Sequence, residues 1–333
     1  MSLDRIKDSA AIREGAAIGA VASRSAIALA GADRASYLQG LLTNDIQALQ
    51  PGQGCYSAWL TPQGRMFTDM HVLQSDSLLL LDVPANLAEE VLQRLDQFLF
   101  TEDVQLQSLA DSLTSVWLHG PRAAHVLEQS LGATSLDAWA QYQHERRDFD
   151  GTAVVIARID QLGVPGYCAY VEAGQHDALV TTLERSGAAL VSADAIDAAR
   201  IEHGYPVFGL DMTHDTIPLE AGIENRAISF GKGCYVGQEI IIRVLHRGGG
   251  RVARRLVGLR APDGALRRDA KIMSGEREIG LVTSAAESAQ LGSIALGYVH
   301  RDFVAPSKHV EVDVDGHRLD AIVNALPFSN QLS

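Results

Sequence analysis

Phe230-Gly231-Lys232-Gly233-Cys234-Tyr235-Val236-Gly237-Gln238-Glu239-Ile240-Ile241-Ile242-Arg243 is the stretch on which the reading of this chain turns. Three glycines within seven residues flank a lysine, a cysteine and a tyrosine, and the run then becomes strongly apolar. Glycine serves where the backbone needs positive φ or close approach to another group. The pattern therefore predicts a shaped loop leading into a buried element. If the chain is helical from Gln238 onward, Cys234 stands just before the positive end of that helix, with Lys232 two residues away. A free thiol titrates near ~8.5, and a neighbouring ammonium or helix N-terminus lowers that toward the reactive range. The competing reading is a small buried hydrophobe, the common fate of free cysteine.

Working outward, 333 residues are enough for two domains or three modules with ample core. A hydrophobic content of 47% with 21% charged residues is ordinary for a soluble globular chain. Lys and Arg number 28 against 41 Asp and Glu, a net charge of −13. That charge repels a phosphate backbone and argues against direct nucleic-acid binding. No apolar run approaches the ~18 residues of a spanning helix. The opening Met1-Ser2-Leu3-Asp4-Arg5-Ile6-Lys7-Asp8 also lacks the apolar core of a signal peptide. A cytoplasmic protein with no membrane association is expected. Cys55, Cys168 and Cys234 are far apart and odd in number, so no disulfide framework is read, and no Cys/His spacing suggests a metal site. Cys55 and Cys168 lie in apolar, strand-like runs and are expected in the core.

Residues 25–30 read as a short strand, Asp33 as an N-cap, and 34–43 as a helix with Tyr37, Leu38, Leu41 and Leu42 on its apolar stripe. A hairpin follows: 55–60, the turn Thr61-Pro62-Gln63-Gly64, and 65–73. Alternation puts Met66, Thr68, Met70 and Val72 on one face of the second strand, and Phe67, Asp69, His71 and Leu73 on the other. A third strand at 78–83 leads to Pro84 and a helix with Leu87, Val91, Leu95 and Phe98 on one stripe. The middle of the chain repeats the mixture, with strands at 152–159 and 167–171 and helices near 174–186 and 193–203. Hairpins and single helices without a strict strand-helix repeat argue for an α+β fold. Near 245 the composition changes at the glycine-rich, basic joint His246-Arg247-Gly248-Gly249-Gly250-Arg251. Beyond it, short alternating runs at 255–259, 270–274, 278–284, 293–299, 310–314 and 318–323 predict a small all-β barrel. The division is drawn as residues 1–245, two interleaved α+β modules, and 246–333, the barrel.

Two carboxylates break local rules. Glu202 falls in the last turn of the helix that Gly204 ends, facing the negative end of the helix dipole. An ionised carboxylate can accept two parallel N–H bonds, which suits the amino-pyrimidine edge of a pterin; the alternative is an exposed glutamate paired with Arg200 or His203. Asp69 sits mid-strand, where aspartate is disfavoured. It needs either solvent at a sheet edge or a cavity holding a cationic or N–H-bearing ligand atom. Arg243, His246, Arg247, Arg251, Arg254 and Arg255 form a basic run that can grip a carboxylate tail or a partner, or be a solvated linker.

With these residues in place, Lys232-Gly233-Cys234-Tyr235-Val236-Gly237-Gln238-Glu239 resembles the signature of the YgfZ-type folate-binding proteins, relatives of the glycine-cleavage T-protein (aminomethyltransferase). Gln63-Gly64-Arg65-Met66-Phe67-Thr68-Asp69, Arg200-Ile201-Glu202-His203-Gly204-Tyr205-Pro206, Pro218-Leu219-Glu220-Ala221-Gly222 and the barrel segments 280–284 and 295–299 extend the resemblance over nearly the whole chain. The resemblance implies a three-module ring enclosing a channel for tetrahydrofolate, with Glu202 on the pterin and Asp69 near the one-carbon-carrying nitrogens. It further implies Tyr235 and Gln238 shaping the loop and binding the cofactor, Lys232 tuning Cys234, and Arg243 and Arg247 on the ligand's carboxylate tail. Cys234, Lys232 and Asp69 are then the reactive set. The resemblance also implies support of iron–sulfur cluster assembly or repair in client enzymes, with an indirect effect on tRNA modification. The partners expected are iron–sulfur client proteins or assembly factors. Three departures set the chain apart from the T-proteins. Thr68 replaces the first of two adjacent aspartates, Asp82-Val83-Pro84 replaces an asparagine, and the Lys-Gly-Cys-Tyr segment is additional. Folate-dependent aminomethyl transfer or demethylation, and a binding module without catalysis, remain the alternatives.

Overall fold

The computed structural model describes residues 3–246 and 249–328. The chain opens with α1 (Leu3–Glu14) and a two-residue strand β1 (Ala17–Ile18), then builds a five-stranded sheet. Its strands are β2 (Arg24–Ala30), β3 (Gln53–Leu60), β4 (Met66–Gln74), β5 (Leu78–Pro84) and β6 (Gln105–Ser108), in the order β3-β4-β5-β2-β6. Helices α2 (Arg34–Leu41) and α3 (Ala88–Gln97) cover one face, burying Tyr37, Leu38 and Leu41 with Val91 and Leu95 against Ile27, Leu29 and Leu81. Asp33 does not cap α2 with its side chain; its carboxylate instead accepts the Asp103 backbone N–H at 2.9 Å, fastening the return of the chain.

The second sheet contains β1, β7 (Leu113–His119), β8 (His144–Phe149), β9 (Thr152–Arg158), β10 (Gly166–Glu172) and β11 (Ala189–Leu190), in the order β11-β1-β7-β10-β9-β8. Helices α4 (Ala123–Leu131) and α5 (His176–Arg185) pack on its outer face through Leu127, Leu131, Leu179 and Leu183. The inner faces of the two sheets meet where Ala26, Leu73 and Leu80 contact Trp117, Ala157, Cys168 and Tyr170. Both faces of β4 are thus buried, and the strand is internal, between β3 and β5. The sheet-edge reading of Asp69 is thereby excluded.

Simple alternation along β4 fails at one place. Trp59 pairs with Thr68 but Leu60 with Met66, so Phe67 is the extra residue of a β-bulge. The parity flips there: Phe67 packs with Met70 and Val72 under the helices, and Met66 with Tyr56, Ala58 and Leu60 on the other side. Asp69 and His71 therefore form a polar belt between the Met66 and Leu73 patches.

After α6 (Ala193–His203) come the short helices α7 (Pro218–Ala221) and α8 (Glu224–Ala227), then α9 (Gln238–His246). The six alternating runs become β12 (Arg254–Ala261), β13 (Lys271–Ser274), β14 (Arg277–Ser288), β15 (Gly292–His300), β16 (His309–Val314) and β17 (His317–Asn324). They close as β12-β15-β14-β13-β16-β17, with Leu259, Ile272, Val282, Ala295, Val312 and Val323 filling the interior. The fold is α+β, two mixed modules and a barrel. Buried Arg200 at the end of α6 ties the middle module to that barrel, donating to Asp211 at 2.8 Å and to Ser284 at 2.7 Å.

Candidate functional site

The quoted stretch packs against the first module. Lys232 turns inward, and its ammonium donates to the carbonyls of Gln39, Leu42 and Asn44 at 2.7, 2.7 and 2.8 Å. Tyr235 is buried beside Tyr56 and Leu60. Gly237, at φ +83°, lies where an added Cβ would stand 2.5 Å from the Thr61 carbonyl oxygen. Gly231 and Gly233 have open space around them and no positive φ, so only one of the three glycines is demanded by the backbone. Cys234 is exposed, unlike Cys55 and Cys168, which are buried. The element that follows is not a buried one: α9 is amphipathic, with Ile241 enclosed and Ile242 outward.

The polar belt on β4 opens onto a cavity of about 460 Å³ lined by Arg24, Asp69, Trp117, Gln161, Tyr205 and Phe208, among others. Asp69 accepts from the Tyr56 hydroxyl at 2.8 Å through Oδ2 and from Arg24 Nη1 at 3.2 Å through Oδ1. Arg24 also donates from Nε to Asp82 Oδ1 at 2.9 Å and from Nη2 to the Asp82 carbonyl. The other Asp82 oxygen receives His71 Nδ1 at 2.9 Å and the Tyr170 hydroxyl, from the second sheet, at 2.8 Å. Burial alone would push the Asp82 carboxyl upward, but Arg24, His71 and Tyr170 together hold it below its ordinary range. Burial, and then Arg24, lowers His71, keeping the imidazole neutral. Since ionised Asp82 can only accept, the His71 proton is assigned to Nδ1. Its Nε2 is buried without a hydrogen-bond partner among the described residues.

Two further groups shape the centre. Gln161 donates to the Tyr205 hydroxyl at 3.4 Å, and its Oε1 is buried without a partner among the described residues. The Arg226 guanidinium lies 4.0 Å from the Tyr205 ring centroid and 4.7 Å from that of Tyr56. The cavity thus combines aromatic walls, a carboxylate and an unsatisfied amide acceptor. Such a surface takes a flat heteroaromatic ligand bearing N–H donors.

The predicted residues do not all gather here. Glu202 faces a separate cavity of about 290 Å³ between α1, α6 and the barrel. Its oxygens are engaged by Arg13 and Ser288, so in this structure it fastens α1 and the barrel to α6 rather than sharing a chamber with Asp69. Chain spacing carries no information on such a separation. Lys232 spends its donors on backbone carbonyls, so its place is that of a loop anchor, not of a partner to the thiol. Tyr235 sits in the core, Gln238 begins α9, and Arg243 pairs with Glu239 one turn earlier on the exposed side of that helix. None of these three lines the Asp69 cavity. Arg247 lies outside the described residues. The basic run is partly neutralised, Arg254 by Glu220 and Arg255 by Glu224. Among the described residues no cluster of three or more His, Cys, Asp or Glu could hold a metal ion, and no helix is long and apolar enough to cross a membrane.

Sequence reading missed Arg24, Trp117, Gln161, Tyr205 and Arg226. It met Asp82 only as a replaced asparagine, although a carboxylate inside Leu78-Leu79-Leu80-Leu81-Asp82-Val83 carries the same signal that singled out Asp69.

The model of the GCVT N-terminal domain matches residues 4–232, and that of the glycine cleavage T-protein C-terminal barrel domain matches 254–329. The chain is similar to an aminomethyltransferase of Geobacillus sp. (strain WCH70), 28% identical over 326 residues, covering 96% of this chain and 88% of that protein. It is also similar to a putative chloroplastic transferase of Arabidopsis thaliana, at 26% identity over 91% of this chain and 68% of that one. In fold it resembles the crystal structure of glycine cleavage system aminomethyltransferase T from Bartonella henselae, with a TM-score of 0.87 and 24% identity over 98% of this chain and 90% of that one.

Proposed function

From the premise that this chain belongs to the glycine-cleavage T-protein family, we propose that it binds tetrahydrofolate in the Asp69 cavity. The observation that carries the reading is the pairing, in one aromatic-walled cavity, of the Asp69 carboxylate with the unsatisfied Gln161 Oε1. A reduced pterin offers N–H donors to both acceptors, and Trp117 and Tyr205 supply faces for its ring. When bound, tetrahydrofolate supplies a carrier for one-carbon units. The protein's part is to orient it and to exclude water from its reactive edge.

The finer assignment is to the YgfZ-type branch: a cytoplasmic factor that supports assembly or repair of iron–sulfur clusters in client enzymes, with Cys234 as the group offered to the client. Its support is the exposure of Cys234 on a loop held rigid by Lys232 and Gly237, unlike the two core cysteines. One cysteine cannot supply the usual four thiolates of a resident cluster, so the thiol acts on a partner.

Titration of the full-length protein with tetrahydrofolate tests the first part. Saturable binding that Asp69→Asn or Gln161→Ala weakens, and Glu202→Ala leaves in place, is expected; indifference to Asp69→Asn sinks the assignment of the cavity. For the second part, Cys234→Ala should keep folate affinity yet fail to restore iron–sulfur enzyme activity in a deletion strain. Full restoration would remove Cys234 from the function. Aminomethyl transfer is the second reading, favoured by Asp69 facing the cavity. Production of methylene-tetrahydrofolate from an aminomethyl donor would put that reading ahead.

A further inference from the structure

We infer that Asp82 is a positioning residue of the cavity: it takes the charge of Arg24 into a buried ion pair and so leaves the negative charge of Asp69 to act on a ligand. The inference rests on the folate reading and deepens it by saying what gives Asp69 its pull.

Arg24, Asp69 and Asp82 meet across β2, β4 and β5, their side chains 8%, 5% and 2% exposed. Arg24 stands between the two carboxylates unequally. Asp82 receives Nε at 2.9 Å and, through its carbonyl, Nη2, whereas Asp69 receives only Nη1 at 3.2 Å. In a dry setting the carboxylate with the shorter bond, backed by a second bond to the carbonyl of the same residue, takes the larger share of the cation's charge. The titratable groups facing Asp82 are Arg24 from β2, His71 from β4, and Cys168 and Tyr170 from β10. Apart from Arg24 none brings positive charge, since His71 is held neutral. One guanidinium bonded to two carboxylates leaves one negative charge without a bonded cation of its own. Asp69 lines the cavity and Asp82 does not, so that charge is presented where a ligand sits. Arg226 is a second cation near Asp69 at longer range; it is common to every variant below.

With Asp82→Asn, Asp69 becomes the sole carboxylate of Arg24. It is drawn to the guanidinium, and its attraction for N–H donors in the cavity falls. Removing Arg24 as well returns the charge to Asp69. A merely structural role would make affinity follow the ligand-free Tm across the four proteins, since removing both partners of a buried pair can restore stability by itself.

The test titrates tetrahydrofolate into the full-length wild type, Asp82→Asn, Arg24→Gln and the double variant, and melts each without ligand. Asp82→Asn is expected to weaken binding about tenfold, equivalent to ~1.4 kcal/mol, and the double variant to recover most of that. Wild-type affinity in Asp82→Asn, or a double variant weaker than Asp82→Asn, overturns the inference. The ligand-free melts read the same relation without folate. Arg24→Gln strands Asp82 as a buried charge and should melt lowest, and adding Asp82→Asn to it should raise Tm. If the second substitution lowers Tm further, Asp82 is not the partner of Arg24 and the inference is lost. Should the wild type bind no tetrahydrofolate, it is the folate reading that fails, and the melts alone decide this one.

Discussion

The ammonium of Lys232 lies 2.7 Å from the carbonyl oxygen of Leu42, the residue that caps the C-terminal end of α2. Gln39 and Asn44 add two more carbonyls at 2.7 and 2.8 Å. The last carbonyls of a helix lack intrahelical donors and carry the negative end of its dipole, and a lysine has three donors on one nitrogen to meet them. Burial pushes the Lys232 ammonium down to about 8, against the opposing pull of Asp45. Lys232→Met leaves three carbonyls without a donor and should cost about 1–3 kcal/mol, read as a fall in Tm. Lys232→Arg should not restore it, because a planar fork cannot converge on three carbonyls as a point charge does. An unchanged Tm in the methionine variant would remove the anchor.

Gly237→Ala should be far more damaging than the same change at Gly231 or Gly233. At φ +83° a side chain is strained, and the new Cβ would stand 2.5 Å from the Thr61 carbonyl oxygen and 3.0 Å from Leu60 Cβ. A strained left-handed residue costs on the order of 1–3 kcal/mol. Circular dichroism melts should show a clear drop for Gly237→Ala and next to none for the other two. Equal drops at all three positions would mean that the whole loop, rather than the turn at Gly237, is backbone-constrained.

The contrast among these glycines shows what the chain discloses and what it withholds. Periodicity was enough for the six barrel strands and for the β3–β4 hairpin, because one buried face imposes a period of two. It failed at Phe67, where one extra residue in β4 reverses the parity with no mark in the sequence. Asp69 was legible because a carboxylate within a strand breaks a local rule. Glu202 broke a rule too, yet its oxygens answer Arg13 and Ser288. Which partner satisfies an unusual charge depends on contacts 189 and 86 positions away along the chain. Arg24 was invisible for the same reason: its role exists only once β2 and β4 are both placed beside β5.

Arg200 is the side chain on which the middle module and the barrel depend together. It is 1% exposed and donates to Asp211 at 2.8 Å, Ser284 at 2.7 Å, Asp197 at 2.5 Å and the Tyr205 carbonyl at 3.3 Å. Asp211 in turn accepts from Thr283 and Ser284 of β14. Arg200→Met leaves Asp211 as a buried, uncompensated charge, for which a loss of about 3–5 kcal/mol is expected. Pairing it with Asp211→Leu should recover part of the loss, since apolar replacement of both partners removes the stranded charge. Denaturant melts of the three variants measure this; a double variant as unstable as the sum of the singles would mean that the pair is not coupled.

His119 sets a pH limit next to the cavity. It ends β7, is fully buried, donates from Nε2 to the Gly19 carbonyl at 3.1 Å, and has no partner for Nδ1 among the described residues. Its ring lies 6.1 Å from that of the cavity residue Trp117, stacked at 13°. Burial pushes the imidazole from its ordinary 6.5 down to about 4. As pH falls below 6.5 the unfolded chain binds a proton that the folded chain refuses, so stability declines across pH 6.5 to 4 and levels off below. The full effect is about 3 kcal/mol, of which about 2 kcal/mol is already lost at pH 5. His71 and His144, also lowered by burial, act in the same direction, whereas the Asp82 contribution is lost only as pH falls below the ordinary carboxylate range. His119→Gln has an amide positioned to keep the Gly19 bond and nothing to titrate. Melts at pH 7.5 and 5.0 should therefore show a smaller loss for this variant than for the wild type. Parallel losses would place the acid sensitivity in the other histidines.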